Sequence, residues 1–289
     1  MLSLALELQT ACIWEATARK AGNVHRYRDF EDLTYVDFLL SAAVVAPVLA
    51  RAAEVGIGEA VLKSIDQTRQ FVPTNSNLGI ALLLAPLAAA ADDGEIRSAL
   101  PKVLKKLTIA DSVAVFSAIR LAGPGGLGNA TREDVWECPT LPLRDVMVLA
   151  KDRDLIARQY AQGFQDVLEF GVPALLCTYQ QTGELETAII TTHLQLLSEF
   201  GDSHVARRAG QEESDQTRAR AKSVLELGWP SNSVARHELI ALDRWLREPG
   251  KRRNPGSTAD LIVACLFIAL HERSISLPVR FRSSVEPLP

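Results

Sequence analysis

Residues 77–91 have the sequence NLGIALLLAPLAAAA, and this stretch decides the fold. Leucine and alanine are strong helix formers, and the stretch contains no charged residue. A helix that is apolar on nearly all sides must be buried among other elements, and Pro86 within it predicts a kink. A second apolar run, LIVACLFIAL, occupies residues 261–270. Both runs are too short to span a bilayer, so we expect two core helices.

Helical periods fill most of the remaining chain, and alternating strands and helices are not indicated. We therefore predict an all-α fold, a single globular multi-helix domain over residues 1–273 with a central polar cleft. A C-terminal tail with weak strand character follows at residues 274–289. Helices are predicted at about residues 2–20, 34–55, 59–71, 77–91, 96–107, 111–121, 143–170, 174–181, 184–200, 211–227, 233–247 and 257–273.

Composition and charge restrict the class of partner. The formal net charge is −4 over 289 residues, whereas a nucleic-acid binder usually carries a basic surplus. The acidic balance also disfavours an anionic membrane surface, and the N-terminus lacks the basic start of a signal peptide. The four dispersed cysteines (Cys12, Cys138, Cys177, Cys265) indicate buried, reduced thiols. We expect a cytoplasmic protein that binds small molecules, not nucleic acid or membrane; the oligomeric state stays open.

The first polar cluster lies at the end of the first predicted helix and contains Glu15, Lys20, Gly22, Asn23 and His25. Glu15 lies on a helix whose other residues suit a core, so its carboxylate needs a partner or a metal ion. Lys20 is either that partner or a ligand for phosphate. A solvated helix end explains the pattern equally well.

Two further clusters contain glycine and small polar residues. Asn75, Asn77 and Gly79 precede the most apolar helix and fit a phosphate or ribose site, although ordinary helix capping is slightly favoured. The loop Gly123–Asn129 allows backbone amides to approach a phosphate. It matches neither a Walker loop nor a Rossmann fingerprint, so a plain flexible loop is an equal alternative.

A fourth cluster combines Asp202 and His204 with Arg207 and Arg208, which indicates an anion or metal site. Its alternative is that Asp202 simply caps a helix. In the segment Asn254–Asp260, Gly256 and Ser257 precede Asp260, and we place Asp260 in the first turn of an apolar helix. Capping is again the alternative there.

The order of these motifs resembles the triphosphoribosyl-dephospho-CoA synthase family, and the resemblance runs from about residue 10 to residue 270. The matching series is Glu15 with Lys20-x-Gly22-Asn23-Val24, then Asn75-x-Asn77-Leu78-Gly79, then Asp202-Ser203-His204 with Arg207-Arg208-x-Gly210, and Pro255-Gly256-Ser257-x-Ala259-Asp260-Leu261.

The resemblance implies an all-helical pentosyltransferase. Such an enzyme joins ATP, through its ribose, to a hydroxyl of 3′-dephospho-CoA and releases adenine. The product is a precursor of the prosthetic group of citrate lyase or malonate decarboxylase acyl carrier proteins. ATP is then a substrate, and Mg²⁺ is expected because a divalent ion neutralises the triphosphate.

The chain departs from the citrate-lyase type at two motifs. That type has Lys-Pro-Gly where this chain has Lys20-Ala21-Gly22, and Asn-Thr-His-Lys-Gly where this chain has residues 75–79. The absent His and Lys leave the acceptor open. The chain is more similar to a branch of the family that is associated with one-carbon metabolism, and a pterin-pathway acceptor is compatible with this chemistry.

The resemblance implies a glycosyl transfer with an oxocarbenium-like transition state. We expect Glu15, Asp202 and Asp260 to converge on one site and to share the catalytic and metal-binding roles. Which of them acts as the base and which binds the metal ion is left open. Alternatives are a nucleotide or ADP-ribose hydrolase and a non-catalytic nucleotide-binding helical protein. The residues assigned to nucleotide and phosphate binding are Lys20, Gly22, Asn23, Asn75, Asn77, Gly79, His204, Arg207, Arg208, Gly256 and Ser257.

Overall fold

The structure, a computed structural model, describes residues 2–128, 130–248 and 250–281. It is 68% helical, which confirms the all-α prediction. The described residues contain no β-strand, only isolated bridges between His25 and Arg28 and between Phe30 and Leu33. No helix in these ranges has the length and apolarity needed to cross a membrane.

The helices of the described residues are numbered in chain order, and a π-helical turn, Asp166–Gly171, lies between α9 and α10. They are α1 Leu4–Thr17, α2 Tyr35–Leu49, α3 Ala52–Val55, α4 Ile57–Arg69, α5 Leu78–Asp92, α6 Ile96–Lys105, α7 Ile109–Ala122, α8 Leu143–Ala150, α9 Leu155–Gln162, α10 Val172–Thr182, α11 Leu185–Phe200, α12 Ser203–Ala209, α13 Gln211–Glu226, α14 Ser233–Arg247 and α15 Gly256–His271.

Backbone contacts divide the chain into two compact units. Unit 1 comprises Met1–Ile13 and Val36–Leu168, and unit 2 comprises Trp14–Tyr35 and Glu169–Pro289. The single domain over residues 1–273 and its central cleft therefore stay predictions.

In unit 1 the apolar helix α5 is buried along almost its whole length, as its composition predicts. Pro86 has no backbone N–H, so the carbonyl of Leu82 one turn earlier lacks its helical partner. The hydroxyl of Tyr160 on α9 donates to that carbonyl at 2.6 Å. The proline is thus accommodated within the core because a side chain from another helix satisfies the exposed acceptor.

In unit 2 the apolar helix α15 is buried from Leu261 to Cys265 and onward to Leu270. It packs against α10, α11 and α12, and α13 packs against α11, α12 and α14. The stripe of Leu239, Leu242 and Leu246 on α14 joins a buried cluster with residues of α11 and α13.

Three predictions about local structure were wrong. The long helix over 143–170 is α8, α9 and a π-helical turn, because Asp154 caps α9 through Ile156 N and Ala157 N and Gly163 ends it in a left-handed conformation. The helix over 34–55 is interrupted between α2 and α3. Two of the four cysteines, Cys138 and Cys177, are exposed, and none of the four forms a disulfide bond.

Two predicted segments are described only in part. The tail prediction extends into residues 282–289, which lie outside the described residues. Its described part has no strand, and Arg280 O accepts a hydrogen bond from Leu185 N at 2.9 Å. The loop over 123–129 includes Asn129, which is also outside the described residues.

Candidate functional site

A buried ion pair links Glu15, in the last turn of α1, to Lys20. The Lys20 Nζ lies 2.9 Å from Glu15 Oε1 and also donates to Glu15 O at 2.5 Å and Ala18 O at 3.2 Å. All three ammonium protons therefore have acceptors, and Lys20 is 0% exposed. Burial raises the pKa of Glu15, and the Lys20 charge opposes that shift. Lys20 is thus the partner of Glu15, and a phosphate contact would require this pair to break.

Beside this pair, Glu186 on α11 receives two arginines that the sequence did not single out. Arg19 binds it in a bidentate manner, with Nε–Oε1 at 2.9 Å and Nη2–Oε2 at 2.8 Å. Arg26 Nη2 donates to the same Oε2 at 3.0 Å. Glu186 is fully buried in the first turn of α11, next to Leu185 and ahead of a largely apolar helix, which was the available signal. The carboxylate holds residues 19–26 against α11.

Gly22 is fixed by α14. Its backbone N–H donates to Asp243 Oδ1 at 2.8 Å, and Arg247 Nε donates to the same oxygen at 2.7 Å. Gly22 has φ +76°, and a Cβ there would lie 2.8 Å from Leu246 Cβ and 2.9 Å from Pro255 Cδ. Glycine is required because of this close packing. Asp243 was missed, although a carboxylate on the apolar stripe of α14 was a readable signal.

Asn23 connects the same segment to the loop before α15. Its Nδ2 donates to Asn254 Oδ1 at 2.6 Å and to Pro255 O at 3.4 Å. Asn23 Oδ1 is buried and has no hydrogen-bond partner among the described residues. Asn23 therefore fastens two loops and keeps one acceptor unused.

His25 is fully buried at the start of a tight turn. Its Nδ1 accepts a hydrogen bond from Tyr27 N at 3.3 Å, whereas its Nε2 has no partner in the described part of the chain. Burial, followed by the nearby charges of Lys20 and Arg247, lowers the pKa of His25 to about 2. His25 is therefore a neutral imidazole at any physiological pH.

Asp202 fastens the starts of two helices. Its Oδ1 accepts from Val205 N at 3.0 Å and caps α12. Its Oδ2 accepts from Thr258 N and Thr258 Oγ1, both at 2.8 Å, in the first turn of α15. Ser203 and Ser257 join the same two turns, Oγ to Oγ, at 2.7 Å. Burial raises the pKa of Asp202, and the Thr258 donors oppose that shift.

Asp202 thus caps α12, as the alternative interpretation held, but it does so at 2% exposure and not facing water. Thr258, which carries this contact, was not singled out from the sequence. Gly256 has a packing role, because a Cβ there would lie 2.2 Å from His204 Nδ1. Burial and the charges of Arg207 and Arg208 lower the pKa of His204 to about 3.

Four basic residues form what we call the cationic cluster: Arg207 and Arg208 at the end of α12, and Lys251 and Arg252 in the loop before α15. Arg208 Nη1 donates to Lys251 O at 3.4 Å, and Arg252 Nε and Nη2 approach Arg208 O at 3.4 Å. Burial and the charge of Arg207 lower the pKa of Arg208. Asp32 and Asp202 oppose that shift, and Lys251 Nζ is paired with Asp32. Like charges held together repel, and a bound polyanion would offset the repulsion that remains among the arginines. Sequence reasoning found the two arginines of α12 and missed the loop pair.

Asp260 lies in the second turn of α15 and not in the first, since the helix begins at Gly256. It is partly exposed, whereas Glu15 and Asp202 are buried. Among the three carboxylates assigned to chemistry, Asp260 is therefore the one with a solvent-accessible side chain.

The contacts above bring together the segments 20–25, 202–208 and 254–258 of unit 2, through Asn23–Asn254 and Asp202–Thr258. Asn75, Asn77 and Gly79 belong to unit 1. There Asn75 Oδ1 accepts from Leu78 N at 3.1 Å. The favoured capping interpretation agrees with this contact, and nucleotide binding by these residues stays a prediction.

Asn77 is likewise engaged inside unit 1, where its Nδ2 donates to Thr68 Oγ1 at 2.9 Å. Thr68 in turn donates to Ser64 O at 2.8 Å. The Asn77 amide therefore links the start of α5 to α4, and in this contact Asn77 has a structural role.

The described residues contain no group of three or more His, Cys, Asp or Glu side chains arranged to hold a metal ion. Glu15 is bound by an ammonium, and both oxygens of Asp202 already accept hydrogen bonds. These two carboxylates therefore do not suit a metal ion in this arrangement. The metal role of Glu15, Asp202 and Asp260 stays a prediction that this geometry does not support.

Comparison with known proteins places the chain. The profile of the ATP:dephospho-CoA triphosphoribosyl transferase family matches residues 1–278, so the chain belongs to that family. The chain resembles a solved structure from Archaeoglobus fulgidus, provisionally assigned as a triphosphoribosyl-dephospho-CoA synthase. The TM-score is 0.63 at 27% identity, over 83% of this chain and 99% of that one.

Curated relatives carry a matching assignment, also given as probable. A 2-(5''-triphosphoribosyl)-3'-dephosphocoenzyme-A synthase of Stutzerimonas stutzeri is 34% identical over 43% of this chain and 42% of the relative. The corresponding protein of Pseudomonas savastanoi pv. phaseolicola is 29% identical over 43% of this chain and 45% of the relative. The chain thus aligns with less than half the length of these relatives.

Proposed function

We propose that this protein transfers a triphosphoribosyl group from ATP to a hydroxyl of 3′-dephospho-CoA or a related acceptor, with release of adenine. The family match over residues 1–278 carries this proposal. The reaction breaks the C1′–N9 bond of ATP, and its electron pair leaves with adenine. A bond forms between C1′ and the acceptor oxygen, and the acceptor proton goes to the departing base or to solvent.

The cationic cluster supports binding of the triphosphate. Arg207 and Arg208 present two guanidinium groups at the end of one short helix. The loop before α15 is attached to Arg208, because Arg208 Nη1 donates to Lys251 O and Arg252 Nε donates to Arg208 O. Guanidinium groups match phosphate geometry through paired N–H donors. ATP arrives with its own magnesium, so the ion belongs to the substrate and needs no protein cage.

We assign the reacting carboxylate to Asp260. Its partial exposure supports this choice, because Glu15 and Asp202 are both buried. A carboxylate near C1′ stabilises the positive charge that develops on the ribose, or it accepts the proton of the attacking hydroxyl. Glu15 and Asp202 then act as positioning residues that hold the segments around the substrate.

The acceptor is the less constrained half of the reaction. Residues 75–79 of this chain lack the His and Lys of the citrate-lyase type, so dephospho-CoA is one candidate and a pterin-pathway alcohol is another. We further propose that the protein works in the cytoplasm, where ATP is abundant.

The decisive experiment incubates the purified protein with MgATP, with and without dephospho-CoA, and separates the products by chromatography. Acceptor-dependent release of free adenine, together with a product heavier by one triphosphoribosyl group, is the expected result. Adenine release without any acceptor would indicate a hydrolase instead. Tight ATP binding without turnover for dephospho-CoA or a pterin alcohol would indicate a nucleotide-binding protein.

Matched variants test the phosphate assignment in the same assay. Arg207→Gln and Arg208→Gln should raise the KM for MgATP. Arg244→Gln, on the exposed face of α14, removes a charge of the same type and should leave the KM unchanged. Equal effects of all three variants would show that only net charge matters and would contradict the assignment.

A further inference from the structure

Within the short segment 23–25 of unit 2, two buried polar atoms lack hydrogen-bond partners among the described residues. They are Asn23 Oδ1 and His25 Nε2. Asn23 is 5% exposed and His25 is 0% exposed. A buried polar atom without a partner costs free energy, so such atoms usually face a ligand or ordered water.

The chemistry of both atoms is fixed by backbone neighbours. The other end of the Asn23 amide contacts Pro255 O, and a carbonyl can only accept, so that end is the NH₂ and the unused atom is an oxygen acceptor. His25 Nδ1 accepts from Tyr27 N, so the neutral ring carries its proton on Nε2. The segment therefore presents one acceptor and one donor.

Asn23 and His25 lie on either side of the buried Val24, so both unused atoms belong to one segment of three residues. We propose that Asn23 Oδ1 and His25 Nε2–H recognise the adenine base of ATP, through the 6-amino group and the adjacent ring nitrogen respectively. This inference rests on the proposed function, because it takes ATP as the substrate. Guanine and hypoxanthine carry an oxygen at C6, which would face the Asn23 oxygen.

The surroundings favour recognition over proton donation by His25. The Lys20 and Arg247 charges beside the ring disfavour a second proton on it, so it donates a hydrogen bond and keeps its proton. The buried His25 begins a turn in which His25 N donates to Arg28 O at 3.0 Å and Arg28 N donates to His25 O at 2.9 Å. Entry of the base requires this turn, whose tip is exposed, to move.

Calorimetric titration with MgATP, MgITP and inorganic tripolyphosphate tests the proposal. The wild type should bind ATP about tenfold or more tightly than ITP, because a buried acceptor that faces another acceptor stays unpaired. His25→Asn keeps an oxygen near the position of Nδ1 and removes the Nε2–H. It should weaken ATP about tenfold and leave tripolyphosphate unchanged. His25→Gln, which places an N–H near the position of Nε2, should restore most of the ATP affinity.

His237→Asn is the control, because His237 is exposed and its Nδ1 is hydrogen-bonded within α14, to Ser233 O. The proposal would be overturned if the wild type bound ATP and ITP with equal affinity, or if His25→Asn lost as much affinity for tripolyphosphate as for ATP. Ordered water would then be the partner of these two atoms. If His25→Asn does not fold, the ATP-to-ITP ratio of the wild type and the His25→Gln titration decide. Selective ATP binding without adenine release would refute the proposed reaction but not this recognition.

Discussion

Replacing Asp202 by asparagine separates its structural role from a chemical one. Its carboxylate accepts three hydrogen bonds, from Val205 N, Thr258 N and Thr258 Oγ1. In Asp202→Asn, one oxygen becomes an NH₂ group. If the remaining oxygen stays on Val205, the new NH₂ faces the Thr258 N–H, and two donors oppose each other at a site that is 2% exposed.

The expected cost follows from these contacts. A buried donor without an acceptor costs about 1–3 kcal/mol, and Thr258 Oγ1 escapes this cost because its hydroxyl can rotate and accept. Loss of the charge recovers part of the desolvation that raises the pKa of Asp202. We therefore expect a loss of about 2–3 kcal/mol in the free energy of unfolding. For a chain of 289 residues that corresponds to a Tm lower by roughly 3–5 °C.

Thermal melts of Asp202→Asn and Thr258→Val, with turnover measured well below both Tm values, provide the assay. Thr258→Val removes the hydroxyl and keeps the backbone N–H, so it should cost less, about 1 kcal/mol. The reasoning is refuted if Asp202→Asn melts within 2 °C of the wild type while turnover disappears. That outcome would mean that the carboxylate is needed for chemistry and not for joining α12 to α15.

The remaining predictions concern the other titratable groups. Lys20→Met should cost about 3–5 kcal/mol because it leaves Glu15 buried and unpaired, and the double variant Glu15→Gln/Lys20→Met should recover part of it in denaturant unfolding. His193 is buried without a partner for either ring nitrogen in the described chain, and burial lowers its pKa to about 3. The unfolded state therefore binds more protons below about pH 6.5, so stability falls by roughly 1.4 kcal/mol per pH unit as the pH drops. His193→Phe should show a smaller Tm loss between about pH 7 and pH 5 than the wild type does. Asp260→Asn should reduce turnover about 10²–10⁴-fold with little change in Tm, whereas Glu272→Gln, at the exposed residue that follows α15, should change neither.

Much of the fold was available in the sequence. The runs at residues 77–91 and 261–270 predicted buried helices, and α5 and α15 are buried as expected. Local apolar periodicity indicates burial directly, because the position of a residue along a helix decides which side of the helix its side chain lies on. Breaks within helices were less visible: Asp154 and Gly163 interrupt a continuous apolar pattern through their own backbone and side-chain hydrogen bonds.

The order of the polar motifs was also enough to identify the family. Each motif is a short run of polar residues next to a glycine, so it can be recognised in the sequence without knowledge of its tertiary contacts. What the sequence could not supply was their partners. Arg19 binds Glu186, 167 residues away, and Gly22 binds Asp243, 221 residues away. No local pattern records a contact between residues that far apart. Asp202 therefore looked like a metal ligand or a surface cap, and only tertiary packing made it a buried link between two helices.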